Sequence, residues 1–145
     1  MKVFIYEIDG VVCVGSTPNN ENIEDIANLS VPIGVKYLIL DSLDLPKEPQ
    51  ESWYIEYGEI KIDQQKLIEF NRKNMPTLSL LEFDIKLNNA GLYDAVQELI
   101  KDNFEMRIAY NRATFFSRTD PFVDQARIAL GLTDEQVDMI WLDVE

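Results

Sequence analysis

The sequence predicts an α+β protein, in which a small β-rich N-terminal lobe with one short helix is followed by a C-terminal helical bundle. In the first part of the chain, short runs of β-branched and aromatic residues alternate with turn-forming residues, which is typical of strands. From residue 63 onward, apolar residues recur at helical spacing and are accompanied by helix-capping motifs. We therefore predict two domains, residues 1–62 and residues 63–145.

Two hairpins are predicted in the N-terminal lobe. KVFIYEI and GVVCV predict two strands, and Asp9-Gly10 between them tolerates the positive φ of a two-residue turn. WYIEYGEIKI predicts a second hairpin that turns around Tyr57-Gly58. The segment SLDLPKEPQES, which precedes it, contains two prolines and predicts a loop.

Between the hairpins, the sequence predicts one helix and one strand. NNENIEDIANLS has apolar residues at helical spacing, with Asn19 or Asn20 as its cap, and the segment VPIG ends it. KYLILD, with the apolar run YLIL at its centre, predicts a buried strand.

The C-terminal domain is predicted to hold five or six helices. Asp63 caps the first, and Thr77 caps LSLLEFDIKLNNA, with Leu78, Leu81 and Ile85 on one face. Glycine followed by leucine, the ending of a Schellman motif, occurs twice at residues 91–92 and 131–132. Three features mark the later helices: a cap at Thr119 or Asp120 followed by Pro121, a capping box at Thr133–Gln136, and an apolar stripe of Val137, Ile140, Trp141 and Val144.

Charge and residue types exclude several functional classes. The net charge is −13, with 11 acidic and 4 basic residues in 1–62 and 15 acidic and 9 basic residues in 63–145. Such a chain repels nucleic acid and anionic membranes, so we expect neither as a direct partner. The absence of histidine removes the usual nucleophilic triads, and the single cysteine, Cys13, forms no internal disulfide or zinc ribbon. We find no signal-peptide pattern and no membrane-spanning run, and we expect no cofactor.

The run YEIDGVV is similar to the start of a haloacid dehalogenase-type phosphotransferase, but the comparison fails. Glu7 stands where that chemistry needs an aspartate nucleophile, and the chain lacks alternating strands and helices. We therefore interpret Asp9-Gly10 as a hairpin turn. The acids Asp134, Glu135 and Asp138 resemble a metal cluster, but they begin a helix, where acids are favourable, so we predict no metal site and no enzyme.

One basic cluster leaves two interpretations open. Its arginines, at positions 107, 112, 118 and 127, alternate with Tyr110, Phe115 and Phe116. In one interpretation the aromatic residues pack a helical core and the arginines pair with Asp120 or Asp124. In the other, Arg112, Phe116 and Arg118 contact a partner protein, since arginine and aromatic residues are common interface anchors.

The order of these segments resembles uncharacterised proteins of tailed phages and prophages. In those proteins a Val-Pro-x-Gly-x-x-Tyr segment leads to a strand, an acidic turn ending in proline, and a strand with tryptophan. The matching residues here are Val31, Pro32, Gly34, Tyr37, Asp41, Leu45, Pro46 and Trp53. The segments at 90–100 and 115–141 resemble a second, helical phage-associated pattern. KEPQES replaces the Arg-Phe-Arg segment that such proteins commonly carry before the tryptophan.

The resemblance implies a small accessory of the tail or tail-fibre module, either a fibre-assembly chaperone or a minor tail component. Its partner would be a tail or tail-fibre protein, in the host cytoplasm during infection or in the virion tail. Trp53, Tyr54 and Tyr57 are the candidate contacts on the β lobe, although core packing explains them equally well. The alternative is an acidic inhibitor of a host defence complex, an anti-CRISPR-like mimic of nucleic acid.

Overall fold

The computed structural model describes residues 1–19 and 22–143 of the chain. The chain divides into two compact units, Met1–Phe70 and Asn71–Glu145, and the division lies within helix α2 (Gln64–Lys73). Strands predominate in the first unit and helices in the second, so the predicted α+β class is confirmed. The domain boundary between residues 62 and 63 stays a prediction.

A three-stranded antiparallel sheet forms the centre of the first unit. Strands β1 (Lys2–Ile8), β2 (Val11–Ser16) and β3 (Tyr37–Asp41) lie in the order β2-β1-β3. Between β1 and β2, Asp9 and Gly10 have φ values of 51° and 76°. Positive φ at both central residues is characteristic of a type I′ turn, which confirms the predicted hairpin.

Each face of this sheet is covered by a separate element. Strands β4 (Trp53–Glu56) and β5 (Glu59–Ile62) form the second predicted hairpin, which covers one face. Helix α1 (Ile23–Ser30) covers the other. The first face buries Val3, Ile5 and Val12 against Trp53, and the second buries Phe4 against Ile23, Ala27 and Val31.

Three details of the first unit differ from the sequence-based expectations. Asn22, with a φ of 54° and no side-chain cap hydrogen bond, precedes α1, so Asn19 is not its cap. Asn20 lies outside the described residues. The predicted loop contains two short 3₁₀ turns, Ser42–Asp44 and Gln50–Ser52. Strand β3 lies at an edge of the sheet, and all five of its residues are only half-buried.

The second unit packs helices around an aromatic core. Its elements are β6 (Leu78–Ser79), α3 (Leu80–Asn89), α4 (Tyr93–Asp102), α5 (Phe104–Arg112), β7 (Phe115–Phe116), α6 (Pro121–Ala129) and α7 (Asp134–Leu142). With α2, six helices begin between residues 63 and 143 in the described chain, as expected. The rings at the centre of the core are those of Phe83, Tyr110, Phe116, Phe122 and Trp141.

Most predicted helix ends are confirmed by hydrogen bonds. Asp63 and Asp120 accept from the backbone N–H groups of Lys66 and Phe122 at 3.1 and 2.8 Å. Thr133 and Gln136 form the expected capping box. Both Schellman motifs are present: the N–H groups of Leu92 and Leu132 donate to carbonyls five residues earlier, at 2.8 and 3.0 Å. Val144, the last residue of the predicted stripe on α7, lies outside the described residues.

The expected start and buried face of α3 were wrong. Ser79, not Thr77, caps the helix, and it forms a capping box with Glu82. Leu78 precedes the helix and pairs with Phe116 in the β6–β7 ladder. Consequently Leu81 and Ile85 are exposed, and the buried face of α3 carries Phe83 and Leu87 instead.

Candidate functional site

The carboxylates of the YEIDGVV run support the fold of the first unit. Asp9 is the first central residue of the β1–β2 turn. Glu7 Oε2 accepts a hydrogen bond of 2.8 Å from the backbone N–H of Ile55. Glu7 therefore satisfies a backbone donor on the side of β4 that faces away from β5. Both residues have a structural role that accounts for their positions.

The tip of the β4–β5 hairpin presents an exposed aromatic ring. Tyr57 and Gly58 have φ values of 52° and 76°, and 92% of Tyr57 is accessible to solvent. The ammonium group of Lys61 lies 5.5 Å from the centre of the Tyr57 ring, within the range of a cation–π interaction. Lys61 also pairs with Glu56. The strands thus hold the ring outward on a well-formed turn.

Tyr57 is an unusual residue for this backbone conformation. Four non-glycine residues in the described chain have positive φ, and the other three are Asp9, Asn22 and Asp143. Aspartate and asparagine tolerate this conformation because their short polar side chains bond to the nearby backbone, whereas a bulky residue there is strained. Tyr57 is therefore both strained and exposed, which singles it out among the aromatic residues of the described chain.

The neighbouring candidates differ in accessibility. Trp53 is only 6% exposed, packs against the core of the first unit, and donates its indole N–H to the backbone carbonyl of Glu48 at 2.9 Å. So little of the Trp53 surface is accessible that it packs in the core and does not contact a partner, contrary to the expectation. Tyr54 is half-buried and pairs across the hairpin with Lys61.

In the second unit, two of the three contact candidates are also buried. Phe116 is 2% exposed within the aromatic core, and Arg118 is 4% exposed. Neither side chain has enough accessible surface to contact a partner protein. Their expected role as partner contacts is therefore wrong, and both are buried within the second unit. Arg112, in the last turn of α5, is exposed. Phe115 is exposed as well, so of the three aromatic residues expected in the core, only Tyr110 and Phe116 lie there.

Arg118 belongs to a network of arginines and acids, defined by Arg72, Arg118, Arg127, Asp124, Asp134, Glu135 and Asp138. Asp138 accepts from Arg118 Nε at 2.7 Å and, through its other oxygen, from Arg72 Nε at 2.8 Å. The expected pairing with Asp124 holds for Arg127, whereas Arg118 pairs with Asp134 and Asp138.

This network lowers the pKa of Asp134 and raises that of Arg127, the latter mainly through its hydrogen bond with Asp124. The hydrogen bond from Arg118 lowers the pKa of Asp134, with smaller contributions from the positive charges of Arg127 and Arg72. The sequence had indicated three acids at a helix start, but Arg72, more than 60 residues away in the chain, could not be connected to them. Within residues 1–19 and 22–143, no group of three or more cysteine, aspartate or glutamate side chains is arranged to hold a metal ion.

A buried tyrosine and a small cavity complete the interior of the second unit. The hydroxyl of Tyr110 donates to Asp84 and accepts from the side-chain amide of Gln97 at 3.2 Å. Burial, followed by the bond to Asp84, raises the pKa of Tyr110 well above its ordinary value. An apolar cavity of about 40 Å³ lies among Phe83, Val96 and their neighbours. It is too small for a metabolite, because typical ligand pockets are roughly ten times larger.

Comparison with known proteins leaves the chain without an assigned family. No family model, no curated protein and no solved structure matches it. In the described parts of the chain, no helix has the length and apolar character that crossing a bilayer requires.

Proposed function

We propose that this protein acts by binding another protein, and that the exposed ring of Tyr57 is an anchor of that interaction. The resemblance of the N-terminal segment to phage tail-module proteins favours a tail or tail-fibre protein as the partner. Catalysis has no part in this proposal. The observation that carries it is the presence of a strained, 92% exposed tyrosine where asparagine or aspartate would fit without strain.

In the free protein, the conformation of Tyr57 is energetically unfavourable. A bulky residue in the left-handed region costs about 1 kcal/mol or more, and an exposed ring adds no burial to offset that cost. The ring becomes useful when a partner covers it, because tyrosine provides a large, rigid contact surface and a polar hydroxyl. Tyr57 is held at the tip of a two-stranded ladder, so little further ordering is needed on binding.

The proposed mechanism is a transient cover during tail-fibre assembly. A net charge of −13 keeps the protein soluble and discourages self-association. Such a protein can mask an apolar patch or strand edge of a fibre protein until the fibre trimerises, which prevents premature aggregation. Tyr54, half-buried on the same hairpin, would extend the contact surface.

The test is a tagged pull-down from phage-infected cells, read by mass spectrometry, with wild type, Tyr57→Asn and Asp9→Asn compared. Asp9 is the matched control because it occupies the same position in the other type I′ turn. We expect wild type and Asp9→Asn to recover a tail-fibre or baseplate protein, and Tyr57→Asn to recover at least tenfold less. Circular dichroism checks that all three proteins are equally folded.

Two outcomes would contradict the proposal. If Tyr57→Asn recovered as much tail-fibre or baseplate protein as wild type, the hairpin tip would not be part of the interaction. Recovery of a host nucleic-acid-binding complex that is lost at high salt would instead favour the acidic-mimic function, because screening weakens interactions between exposed charges.

A further inference from the structure

Strand β3 is an apolar strand that lies at an edge of the sheet. Tyr37, Leu38, Ile39 and Leu40 are four consecutive apolar residues, which agrees with a sheet whose two faces are both covered. The sheet order β2-β1-β3 leaves β3 without a second neighbour, and all four residues are half-buried. The strand therefore exposes both apolar surface and backbone along one side.

The pairing register shows which backbone groups face outward. Ile8 and Val11 flank the two-residue turn and therefore form a hydrogen-bonded pair. Because hydrogen-bonded pairs alternate along an antiparallel ladder, the backbone groups of even-numbered β1 residues bond to β2, and those of odd-numbered residues bond to β3. Ile5 pairs with Leu38, and the N–H of Ser42 donates to the carbonyl of Met1 at 2.7 Å, which agrees with this alternation. The N–H and C=O groups of Tyr37, Ile39 and Asp41 consequently point away from the sheet.

The opposite edge of the sheet is partly closed, whereas this one is open. On β2, the outward carbonyl of Val12 accepts a hydrogen bond of 2.7 Å from the side chain of Gln50. In the described parts of the chain, the outward backbone groups of Tyr37 and Ile39 have no hydrogen-bond partner. Proline and bulges, which commonly protect exposed edges, are absent from β3.

We infer that β3 receives an extended, positively charged segment of a partner protein as an added strand. Backbone pairing requires an extended occupant, and the apolar side chains of β3 suit alternating apolar residues on that segment. Charge decides against a second copy of this chain, because residues 1–70 carry 13 acids and 5 bases. Two such units would repel each other, whereas a basic segment would be attracted.

The tip of the β4–β5 hairpin lies near β3. A Cβ atom built on Gly58 would lie 3.9 Å from Cδ2 of Leu38, so Tyr57-Gly58 lies beside the start of β3. A strand added to β3 would therefore pass close to Tyr57. The inference thus deepens the proposed function, on which it rests, by specifying how the partner is held.

The first test measures amide hydrogen exchange by NMR on the full ¹⁵N-labelled chain. The probe is a nine-residue peptide of alternating valine and threonine, with two lysines at each end and both termini blocked. We expect millimolar peptide to slow exchange of the Ile39 amide at least tenfold, while Leu38 and Leu40 change little because their N–H groups already bond to β1. A glutamate-flanked peptide should bind at least tenfold more weakly.

Three results would overturn the inference. Unchanged exchange at Ile39 with the lysine peptide would show that the edge does not accept a strand. Equal slowing of Ile39 exchange by the lysine-flanked and glutamate-flanked peptides would show that the positive charge of the segment does not favour binding. Protection of Ile39 that rises with protein concentration alone would identify a second copy as the occupant. Because none of these measurements uses the phage partner, their failure is distinguishable from failure of the Tyr57 pull-down.

A matched pair of variants provides a second test. Ile39→Pro removes the outward N–H while leaving the β1–β3 hydrogen bonds in place, which an edge strand can tolerate. Ile39→Val keeps the N–H. We expect Ile39→Pro, but not Ile39→Val, to weaken lysine-peptide binding at least tenfold, and equal binding by both folded variants would contradict strand addition.

Discussion

Arg118 lies between β7 and α6 and donates to Asp138 of α7 with an Nε–Oδ1 distance of 2.7 Å, although only 4% of the arginine is exposed. A second Arg118 nitrogen donates to both the backbone carbonyl and the carboxylate of Asp134, at 3.1 and 3.0 Å. The short connection from β7 to α6 is thereby tied to the start of α7. A buried arginine in this position specifies the packing of the connection, because its Nε and one terminal nitrogen have defined acceptors on α7.

We expect Arg118→Met to lower the free energy of unfolding by about 2 kcal/mol, because it removes the charge-assisted hydrogen bonds to Asp134 and Asp138, which then keep only their pairs with Arg72 and Arg127. Arg112→Met is the control, since Arg112 is exposed and its replacement should change stability by less than about 0.5 kcal/mol. Urea denaturation followed by circular dichroism measures both. Equal stability of the two variants would show that the Arg118 network contributes little.

The lowered pKa of Asp134 predicts a specific loss of stability in acid. Because the carboxylate is favoured in the folded state, its contribution is present above the unfolded pKa, near 3.8, and is lost as pH falls through the lower folded value. Asp134→Asn should therefore be less stable than wild type at pH 6, and the difference should shrink toward pH 3. Denaturation curves between these pH values test this.

Patterns that depend on neighbouring residues were predictable from the sequence. The Asp9-Gly10 turn, the caps at Asp63 and Asp120 and both Schellman endings each require only two to six consecutive residues. Their backbone conformation is set by local sterics and local hydrogen bonds, so the sequence contains nearly all the relevant information.

Features that depend on distant residues were not predictable in the same way. Leu78 was expected to begin a helix, but it pairs with Phe116, and this pairing moves the start of α3 to Leu80. The composition of β3 indicates a strand but does not encode its position in the sheet. Likewise, an arginine's sequence position does not identify a partner 20 residues away, as Asp138 is for Arg118.

Tyr57→Asn is expected to stabilise the isolated protein. Asparagine followed by glycine is the preferred pair for a type I′ turn, so the replacement relieves backbone strain and should raise the free energy of unfolding by about 0.5–1 kcal/mol. The loss of the Lys61 contact to the ring opposes this gain only slightly, because the Tyr57 ring is exposed to solvent. Thermal and urea denaturation provide the measurement. A destabilised variant would mean that the tyrosine supports the fold, and would weaken its assignment as a binding anchor.

Gly15→Ala should destabilise the first unit, because the space for a side chain is already occupied. Gly15 pairs with Phe4 across the β1–β2 ladder, and a Cβ atom at Gly15 would lie 2.1 Å from Cζ of the Phe4 ring. The ring is buried against α1, so relieving this overlap requires the sheet or the helix to shift. Such overpacking costs roughly 1–3 kcal/mol, measurable by urea denaturation.

Ser16→Ala is the control on the same strand, because Ser16 is exposed and its replacement should be nearly neutral. A double-mutant cycle with Phe4→Leu then separates a direct clash from a general effect of alanine in β2. If the ring is the obstacle, adding Gly15→Ala to Phe4→Leu should cost at least about 1 kcal/mol less than adding it to wild type. Equal costs in the two backgrounds would contradict the proposed contact between Phe4 and residue 15.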